Sequence, residues 1–300
     1  MSTDAPRTKS ETFLRELVAQ LDLETLEVNL FRGSSRDLGG RSVFGGQVIG
    51  QAIVAATRTI EGRVPHSLHA YFLLPGDINA PIVYEVDRIR DGGSFSARRI
   101  QAIQHGRPIL SMIASFQVPE EGLEHQVPMP DVPPPEALRS TAELIPEWIA
   151  AAGEVHPRIL ASLARAEVLE FRPVYPWNPL KPEVTEPRQA IWFRIGQNLP
   201  DDPMLHRCLL AYASDFNLVG TALRPHGKSW YSPDMVVASL DHALWFHRDL
   251  RVDDWLLYWM DSPSTQGSRG MTRGQVFDRK GRLVASVAQE GLLRLTEKKT

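Results

Sequence analysis

Residues 205–216 read Leu-His-Arg-Cys-Leu-Leu-Ala-Tyr-Ala-Ser-Asp-Phe, and this stretch is the strongest indication of the fold. Drawn as a helix, it carries apolar side chains around most of its circumference, which is typical of a buried helix. We therefore predict a helix over roughly 204–219 that is wrapped by its own sheet. Strand-like segments follow it at 235–247, 254–261, 267–277 and 282–295.

The first part of the chain shows the same order of elements. An apolar helix is predicted from Gly46 to about Ile60, and strand-like segments follow it at 67–74, 81–90, 94–104 and 108–118. The two parts also share residues, since Ser67-Leu68 aligns with Ser239-Leu240. A helix followed by antiparallel strands, occurring twice, indicates one unit that was duplicated and fused.

A proline-rich stretch separates the two parts. Residues 119–135 hold six prolines among acidic and polar residues, which predicts an extended connector on the surface, because proline fixes φ and lacks an N–H donor. Helices broken at Pro146 and Pro157 are predicted over 136–166. We divide the chain into an N-terminal unit, a connector with helices and a C-terminal unit, with the bounds 1–120, 121–167 and 168–300.

The composition predicts a soluble globular protein. The chain has 300 residues, of which 43% are hydrophobic and 23% charged, enough for a sizeable core without a disulfide or a metal. The single cysteine, Cys208, excludes an intramolecular disulfide and a thiolate metal cluster, and we interpret it as a small buried residue on a helix. The net charge of −3 gives no reason to expect a nucleic-acid partner.

The location of the protein is predicted from what the sequence lacks. The first residues have no apolar core of a signal peptide, and no run approaches the roughly 18 apolar residues of a membrane helix. The last residues, Thr-Glu-Lys-Lys-Thr, do not form a peroxisomal address. We expect a cytoplasmic protein that does not insert into a membrane.

Three polar residues occupy elements whose pattern favours apolar ones. Asp215 ends the buried helix, where a desolvated carboxylate suits general-base chemistry, although it can also cap the next segment or meet a buried arginine. Ser239 lies on a predicted strand, where its hydroxyl either positions a water or bonds within the sheet. Gln289 shares the face of Leu283 and Val287, so its amide must be satisfied by a ligand, a water or a neighbour.

Strict alternation along 235–247 predicts two faces for that strand. Ser239 and Asp241 fall on one face, with Val237 and Trp245, while His242 falls on the other with Ala238, Leu240 and Phe246. On this pattern Asp241 and His242 face opposite ways and cannot cooperate.

Six stretches in order resemble the acyl-CoA thioesterase II family, the bacterial TesB type of double hot-dog enzyme. They cover both halves, from about residue 13 to residue 294, so the signal is specific. In the first half they are Val43-Phe-Gly-Gly-Gln-Val-Ile-Gly-Gln-Ala52, His66-Ser-Leu-His-Ala-Tyr-Phe-Leu-Leu-Pro-Gly-Asp77 and Arg90-Asp-Gly-Gly-Ser-Phe-Ser-Ala-Arg-Arg99. In the second half they are Tyr212-Ala-Ser-Asp-Phe216, Ser239-Leu-Asp-His-Ala-Leu-Trp-Phe-His247 and Ala288-Gln-Glu-Gly291.

The resemblance implies an α+β double hot-dog fold, in which each tandem unit is a long helix wrapped by an antiparallel sheet. It also implies hydrolysis of medium- to long-chain acyl-CoA by a water that Asp215 activates with Ser239 and Gln289, which match the family's catalytic positions. No cofactor and no metal are expected. The family resemblance further implies a homodimer or a homotetramer.

The substrate predicts two further kinds of residue. CoA phosphates favour arginines near the mouth of the site, and the acyl chain needs apolar walls, for which Phe72, Phe216, Trp245 and Phe246 are candidates together with Phe95. Each of these residues is also compatible with an ordinary strand end or core position. The candidate CoA-binding residues are Arg90, Ser94, Phe95, Arg98, Arg99 and Arg269.

Other chemistries are set aside or left open. No Gly-x-Ser-x-Gly elbow occurs, which removes the serine-hydrolase route, and His66, His69, His242 and His247 lack metal-ligand spacing and are interpreted as structural. A hot-dog hydratase or dehydratase acting on acyl-CoA remains an alternative. So does a catalytically silent module that only binds acyl-CoA.

Overall fold

The computed structural model describes residues 16–38, 40–165 and 169–296. The predicted boundary between residues 167 and 168 and both ends of the chain lie outside the described residues. The helices are α1 (16–21), α2 (Gly45–Thr57), α3 (Thr141–Ala152), α4 (Pro157–Arg165) and α5 (Pro203–Ala213). Short 3-10 helices span Pro135–Ala137 and Val219–His226.

The described strands form one large antiparallel sheet. The first half contributes β1 (Glu24–Glu27), β2 (Leu30–Gly33), β3 (Val64–Phe72), β4 (Ile82–Asp91), β5 (Phe95–Gln104) and β6 (Arg107–Gln117). The second half contributes β7 (Glu170–Pro173), β8 (Arg188–Arg194), β9 (Met235–Ser239), β10 (Asp241–Phe246), β11 (Leu256–Gln266), β12 (Arg269–Asp278) and β13 (Leu283–Leu295).

The strand order repeats itself about the middle of the sheet. It runs β1-β2-β4-β5-β6-β3-β10-β13-β12-β11-β8-β7, with β9 paired to the end of β13. The halves join where β3 meets β10 in antiparallel register, with Leu68 opposite Leu244 and Ala70 opposite His242. This symmetry agrees with the predicted repeat, and the architecture is the α+β double hot-dog that the resemblance implies.

The two central helices lie side by side in opposite directions inside the sheet. Gly46 near the start of α2 approaches the carbonyl of Tyr212 near the end of α5, and four residues later Gly50 lies against Tyr212 and Cys208. A side chain at Gly46 would collide with that carbonyl, so glycine allows the close approach. Apolar residues of both helices and both half-sheets form one buried core.

The central helices and the central strands differ from their predictions in two places. The helix predicted to reach residue 219 ends at Ala213, and a 3-10 helix that carries Pro225 follows after a turn. The strand predicted over 235–247 is interrupted at Leu240, and the more buried positions change from odd numbers in β9 to even numbers in β10. Strict alternation is therefore wrong here, because β9 and β10 pair with different segments of β13.

The connector region is partly as predicted. Residues 119–134 form no helix or strand, and α4 begins at Pro157 as expected. Pro146, however, lies inside α3 and does not break it. Proline there removes one helical hydrogen bond, while Ser140 and Glu143 form a capping box that stabilises the first turn.

Two other features of the described residues bear on the predictions. Cys208 is 2% exposed on α5, and burial raises the pKa of its thiol to about 12. None of the helices in the described ranges has both the length and the apolar character that crossing a membrane requires.

Candidate active site

Asp215 lies two residues beyond the end of α5, in a turn that is held from several sides. Ser214 N–H donates to the Leu210 carbonyl at 2.8 Å, and the Ser214 carbonyl accepts from the Tyr258 hydroxyl at 2.9 Å. The Tyr258 ring itself fits against Gly274, where any side chain would collide with it. These contacts fix the direction in which the carboxylate points, and its side chain is 5% exposed.

The Asp215 carboxylate receives hydrogen bonds from both halves of the molecule. Gln289 Nε2 on β13 donates to Oδ1 at 2.7 Å, and Gly46 N–H at the start of α2 donates to Oδ2 at 2.8 Å. Phe44, the N-cap residue of α2, offers no side-chain cap, so Asp215 caps this helix from the opposite half. A carboxylate is stabilised there by the N–H groups and by the helix dipole.

Gln289 is the buried strand amide that the pattern predicted. It is 1% exposed on the inner face of β13, opposite Thr272 of β12, whose hydroxyl donates to the Gln289 backbone carbonyl at 3.0 Å. Its Nε2 is used by Asp215, whereas its buried Oε1 has no hydrogen-bond partner among the described residues. A buried unpaired acceptor beside a carboxylate is suited to hold a water or a ligand group.

Ser239 lies near this pair without a hydrogen bond to it. It ends β9, half-buried, and is opposite Gly291 on β13, two residues beyond Gln289. The hydrogen bonds of the Asp215 carboxylate in the described residues come from Gln289 and Gly46. The structure therefore brings Asp215 and Gln289 into direct contact and places Ser239 on the strand paired with the same segment of β13.

His242 is a neighbour that the sequence analysis treated as structural. Its ring is fully buried, and its Nδ1 lies 3.9 Å from Asp215 Oδ1. Burial lowers the pKa of His242, while Asp215 and the Gln289 side chain oppose that shift. The sequence pattern offered only Asp241 as an aspartate partner for His242, because the two are adjacent, and the structure places Asp215 beside it instead.

Small and aromatic residues complete the surroundings. A Cβ atom at Gly45 would lie 2.8 Å from Asp215 Oδ2 and equally close to the Phe72 ring, so only glycine leaves the carboxylate in place. Phe44 packs on Phe216, with ring centroids 4.4 Å apart, and Phe216 also contacts Tyr212 and Phe171. Phe72 and Phe216, among the predicted apolar walls, thus lie beside the site.

The other predicted wall residues, Trp245, Phe246 and Phe95, make their ring contacts with residues outside the Asp215 cluster. Trp245 meets His69 edge-on at 5.1 Å, and Phe246 is buried beneath the guanidinium of Arg207. Phe95 is 40% exposed and meets His66 edge-on at 5.6 Å.

Arg98 has an internal role that the sequence did not predict. It is 2% exposed, and its five N–H donors go to Thr59, to the carbonyls of Arg90 and Ala97, and to Asp91. No donor remains for a phosphate, so the interpretation of Arg98 as a CoA-binding residue is not supported.

The other candidate CoA-binding residues are more accessible. Arg90 is exposed on β4, Arg99 pairs with Asp87 at 2.8 Å, and Arg269 pairs with Glu290 at 2.9 Å. Glu290 directly follows Gln289 on β13. Through its pair with Glu290, Arg269 is the candidate linked most directly to the strand segment that carries Gln289. Ser94 is half-buried in the turn between β4 and β5, where its carbonyl accepts from Val118 N–H at 2.9 Å.

Gly46 and His242 were not predicted as site residues from the sequence. A signal for Gly46 was present, since Gly45 and Gly46 open a predicted helix that has no serine, threonine or aspartate in front of it to act as an N-cap. No comparable signal existed for His242, because its partner is distant in sequence.

Two family models match the chain. The model described as acyl-CoA thioesterase covers residues 161–292, and the one described as acyl-CoA thioesterase N-terminal domain covers residues 34–117. Acyl-CoA thioesterase 2 of Haemophilus influenzae is 41% identical over 95% of this chain and 99% of its own. Acyl-coenzyme A thioesterase 8 of Homo sapiens is 40% identical over 92% of this chain and 88% of its own.

Solved structures agree with these relatives. The acyl-CoA thioesterase II TesB2 of Mycobacterium marinum superposes with a TM-score of 0.76, at 42% identity, over 94% of this chain and 99% of that chain. A hot-dog protein of unknown function from Alicyclobacillus acidocaldarius gives a TM-score of 0.73 at 20% identity, over 93% and 98% of the two chains. The second likeness shows the fold alone.

Proposed function

Since the chain belongs to the acyl-CoA thioesterase II family and is an acyl-CoA thioesterase, we propose that Asp215 activates the hydrolytic water together with Ser239 and Gln289. One observation carries this proposal. The buried Asp215 carboxylate is held between the Gln289 amide and the Gly46 N–H, next to the unpaired Gln289 Oε1. A water that donates to Asp215 and to Gln289 Oε1 would direct a lone pair at the thioester carbon.

The proposed reaction proceeds by general-base catalysis. Asp215 takes one proton as the water oxygen bonds to the carbonyl carbon, and the C–S bond then breaks to release CoA. Ser239 and Gln289 fix the position of the water. A water that is already oriented toward the thioester carbon lowers the activation barrier of the hydrolysis. The developing oxyanion would face the N-terminus of α2, where backbone N–H groups and the helix dipole favour negative charge.

The acyl chain and CoA are assigned to two different surroundings. We place a medium- to long-chain acyl group against the aromatic cluster of Phe44, Phe171 and Phe216, whose rings offer apolar surface beside the carboxylate. The CoA phosphates are assigned to exposed arginines, among them Arg269, which pairs with Glu290, the neighbour of Gln289. The candidate set is Arg90, Ser94, Phe95, Arg99 and Arg269.

The organisation of the chain is part of the proposal. We divide it into a hot-dog unit of residues 1–120, a connector with helices of residues 121–167 and a hot-dog unit of residues 168–300 that supplies the three proposed catalytic side chains. The fused pair is proposed to assemble further into a homodimer or a homotetramer. Light scattering of the purified chain at several concentrations measures that assembly directly.

An acyl-CoA hydratase or dehydratase is the competing chemistry, and the buried His242 beside Asp215 is the observation that favours it. The two activities differ in their products. Hydrolysis releases a free thiol from saturated acyl-CoA, whereas hydration requires a double bond and releases none. A silent binding module would bind acyl-CoA and release none either.

Thiol release from a panel of saturated acyl-CoA chain lengths, followed with a thiol reagent, tests the proposal. The wild-type protein is expected to hydrolyse medium and long chains best, and Asp215→Ala is expected to lose nearly all turnover. Circular dichroism of Asp215→Ala checks that it folds. A folded Asp215→Ala that keeps near-normal thiol release would show that the proposed site is wrong.

A further inference from the structure

His242 occupies a position that the proposed reaction does not yet use. It lies on β10 at the junction of the two half-sheets, opposite Ala70 of β3, and it is 0% exposed. Its ring bridges two parts of the site, because Nε2 lies 2.9 Å from Ser214 Oγ while Nδ1 faces Asp215.

The hydrogen bonds of Ser214 determine which ring nitrogen carries the proton. The Ser214 hydroxyl donates to the Ala211 carbonyl at 2.9 Å, and a hydroxyl has one proton to give. Both Ser214 contacts are hydrogen bonds at once only if Ser214 Oγ accepts from His242, and this arrangement assigns the hydrogen of the neutral ring to Nε2. Nδ1 is then a bare acceptor.

In the resting protein no described group donates a hydrogen bond to His242 Nδ1. His242 Nδ1 is buried without a hydrogen-bond partner in the described part of the chain, and Asp215 Oδ1, 3.9 Å away, is itself an acceptor while it is ionised. Burial keeps the ring neutral by lowering its pKa. An unpaired buried acceptor is costly in the resting protein, and such a cost is typical of a functional site.

We propose that His242 is a positioning residue that accepts a hydrogen bond from Asp215 only after Asp215 has taken a proton from the hydrolytic water. This inference rests on the proposed function of Asp215. In that step one O–H bond of water breaks, the water oxygen bonds to the thioester carbon, and the proton forms a new O–H bond on Asp215. The Asp215 hydroxyl then donates to His242 Nδ1, and the same proton leaves with the thiolate sulfur when CoA departs.

The physical reason is that the bond exists only on the reaction path. An interaction made in the transition state and absent from the resting enzyme lowers the barrier directly. The resting separation of 3.9 Å is longer than a hydrogen bond, and catalytic hydrogen bonds commonly shorten when the reacting state forms. Gln289 Nε2 and His242 Nδ1 both face Asp215 Oδ1, while Gln289 Oε1 has no partner in the described residues and can accept from the water.

Two substitutions separate this role from a structural one. In His242→Gln the amide reaches the place of Nε2, so the contact with Ser214 is kept and the acceptor toward Asp215 is lost. In His242→Asn the amide oxygen reaches the place of Nδ1, so the acceptor is kept and the Ser214 contact is lost. We expect kcat of His242→Gln to fall roughly ten- to a hundredfold with little change in KM, and His242→Asn to retain more of the wild-type kcat while losing stability.

The outcomes decide the inference. A His242→Gln enzyme with wild-type kcat, or one that is at least as fast as His242→Asn, would overturn it, since a purely structural histidine needs its Ser214 contact most. If Asp215→Ala keeps its activity, the proposed role of Asp215 is wrong, and the inference about His242 is rejected with it. If Asp215→Ala is inactive while His242→Gln is fully active, only the present inference fails.

A measurement on the wild-type protein does not depend on the folding of variants. With 15N-labelled histidine, the His242 ring nitrogens are expected to show the neutral form with hydrogen on Nε2. Hydrogen on Nδ1, or a charged ring at neutral pH, would contradict the inference, because Nδ1 could then accept nothing.

Discussion

Thr59 and Asp215 lie at corresponding places, two residues beyond the ends of α2 and α5. Each meets a buried side chain from its own half-sheet. Arg98 on β5 donates to the Thr59 hydroxyl at 2.9 Å, and Gln289 on β13 donates to the Asp215 carboxylate at 2.7 Å. The two halves thus share a construction in which a strand residue holds the end of the central helix.

The starts of the same two helices differ. Asp202 caps α5 from within its own half by accepting from Met204 N–H at 2.9 Å, whereas α2 has no cap of its own and receives Asp215 from the other half. At the end of the pair where α5 starts, the helix cap therefore comes from the same half as the helix. The other end joins both halves around one carboxylate.

The Arg98 cluster of the first half and the Asp215 cluster of the second half differ in how fully their polar atoms are hydrogen-bonded. This difference separates a structural polar cluster from a reactive one. Every donor of Arg98 is used, which is what a stabilising buried group requires. Around Asp215, by contrast, Gln289 Oε1 and His242 Nδ1 are buried without partners in the described residues. Unpaired acceptors beside a carboxylate are suited to receive hydrogen bonds from a substrate or a water.

Replacing the two strand residues should produce the largest contrast. Gln289→Leu removes a donor and the acceptor proposed for the water, so kcat is expected to fall roughly 10²- to 10³-fold. Arg98→Met breaks the first-half cluster and should lower the melting temperature while leaving kcat close to wild type. Thiol-release kinetics and thermal unfolding of both variants measure this. Equal losses of turnover in the two variants would remove the proposed difference between the halves.

A methyl group at Gly45 should have the next largest effect. It would lie 2.8 Å from Asp215 Oδ2, so Gly45→Ala must displace the carboxylate from the start of α2. A displacement near 1 Å can cost about a hundredfold in kcat. Gly196→Ala is the matched control, since nothing lies within 4 Å of a Cβ atom there. Unchanged kcat in Gly45→Ala would show that the contact with α2 does not position Asp215.

The Ser239 hydroxyl should contribute less. Ser239→Ala removes one proposed hydrogen bond to the water, for which about a tenfold loss of kcat is expected. Ser286→Ala is a suitable control on β13, because the Ser286 hydroxyl contacts the exposed His247 at 2.8 Å and not the site. Wild-type kcat in Ser239→Ala would remove this residue from the proposed catalytic set.

The smallest effect concerns the pH dependence of stability. Burial lowers the pKa of His66 in the first half and of His206, His242 and His247 in the second. Below the ordinary value of 6.5 the unfolded chain binds protons that the folded protein excludes, so the free energy of unfolding should fall as the pH decreases from about 7 to about 5.

Two histidine substitutions sharpen that expectation. His242 is fully buried and His66 half-buried, so His242→Asn should flatten the pH dependence of the unfolding free energy more than His66→Asn. Denaturant unfolding at several pH values measures both slopes. A steeper slope after either substitution would contradict the assigned direction of the pKa shifts.

The sequence predicted the fold well because its signals are local. The all-round apolar pattern of residues 205–216 and the repeated order of segments indicated two buried helices and their sheets, which the structure contains. The interruption at Leu240 was not predictable by alternation, since it depends on β9 and β10 pairing with different segments of β13. Pro146 was misjudged because a capped first turn tolerates one missing hydrogen bond.

The site was predictable only in part, for a similar reason. Asp215, Ser239 and Gln289 each stand out as polar residues in apolar elements, and the family resemblance gives them roles. Gly46 and His242 reach Asp215 from elements that are remote in sequence or on another strand. Their contribution depends on helix packing and sheet register, which no single segment encodes.

The role of Asp215 as a base toward water, and not as a nucleophile, is tested most directly by a single turnover in heavy-oxygen water. Enzyme in excess over acyl-CoA completes one reaction, and the peptide that contains Asp215 is then weighed by mass spectrometry. If Asp215 acts as a base toward water, heavy oxygen is expected in the released fatty acid and none in Asp215. Heavy oxygen in the Asp215 carboxylate would reveal a mixed anhydride and contradict direct attack by water.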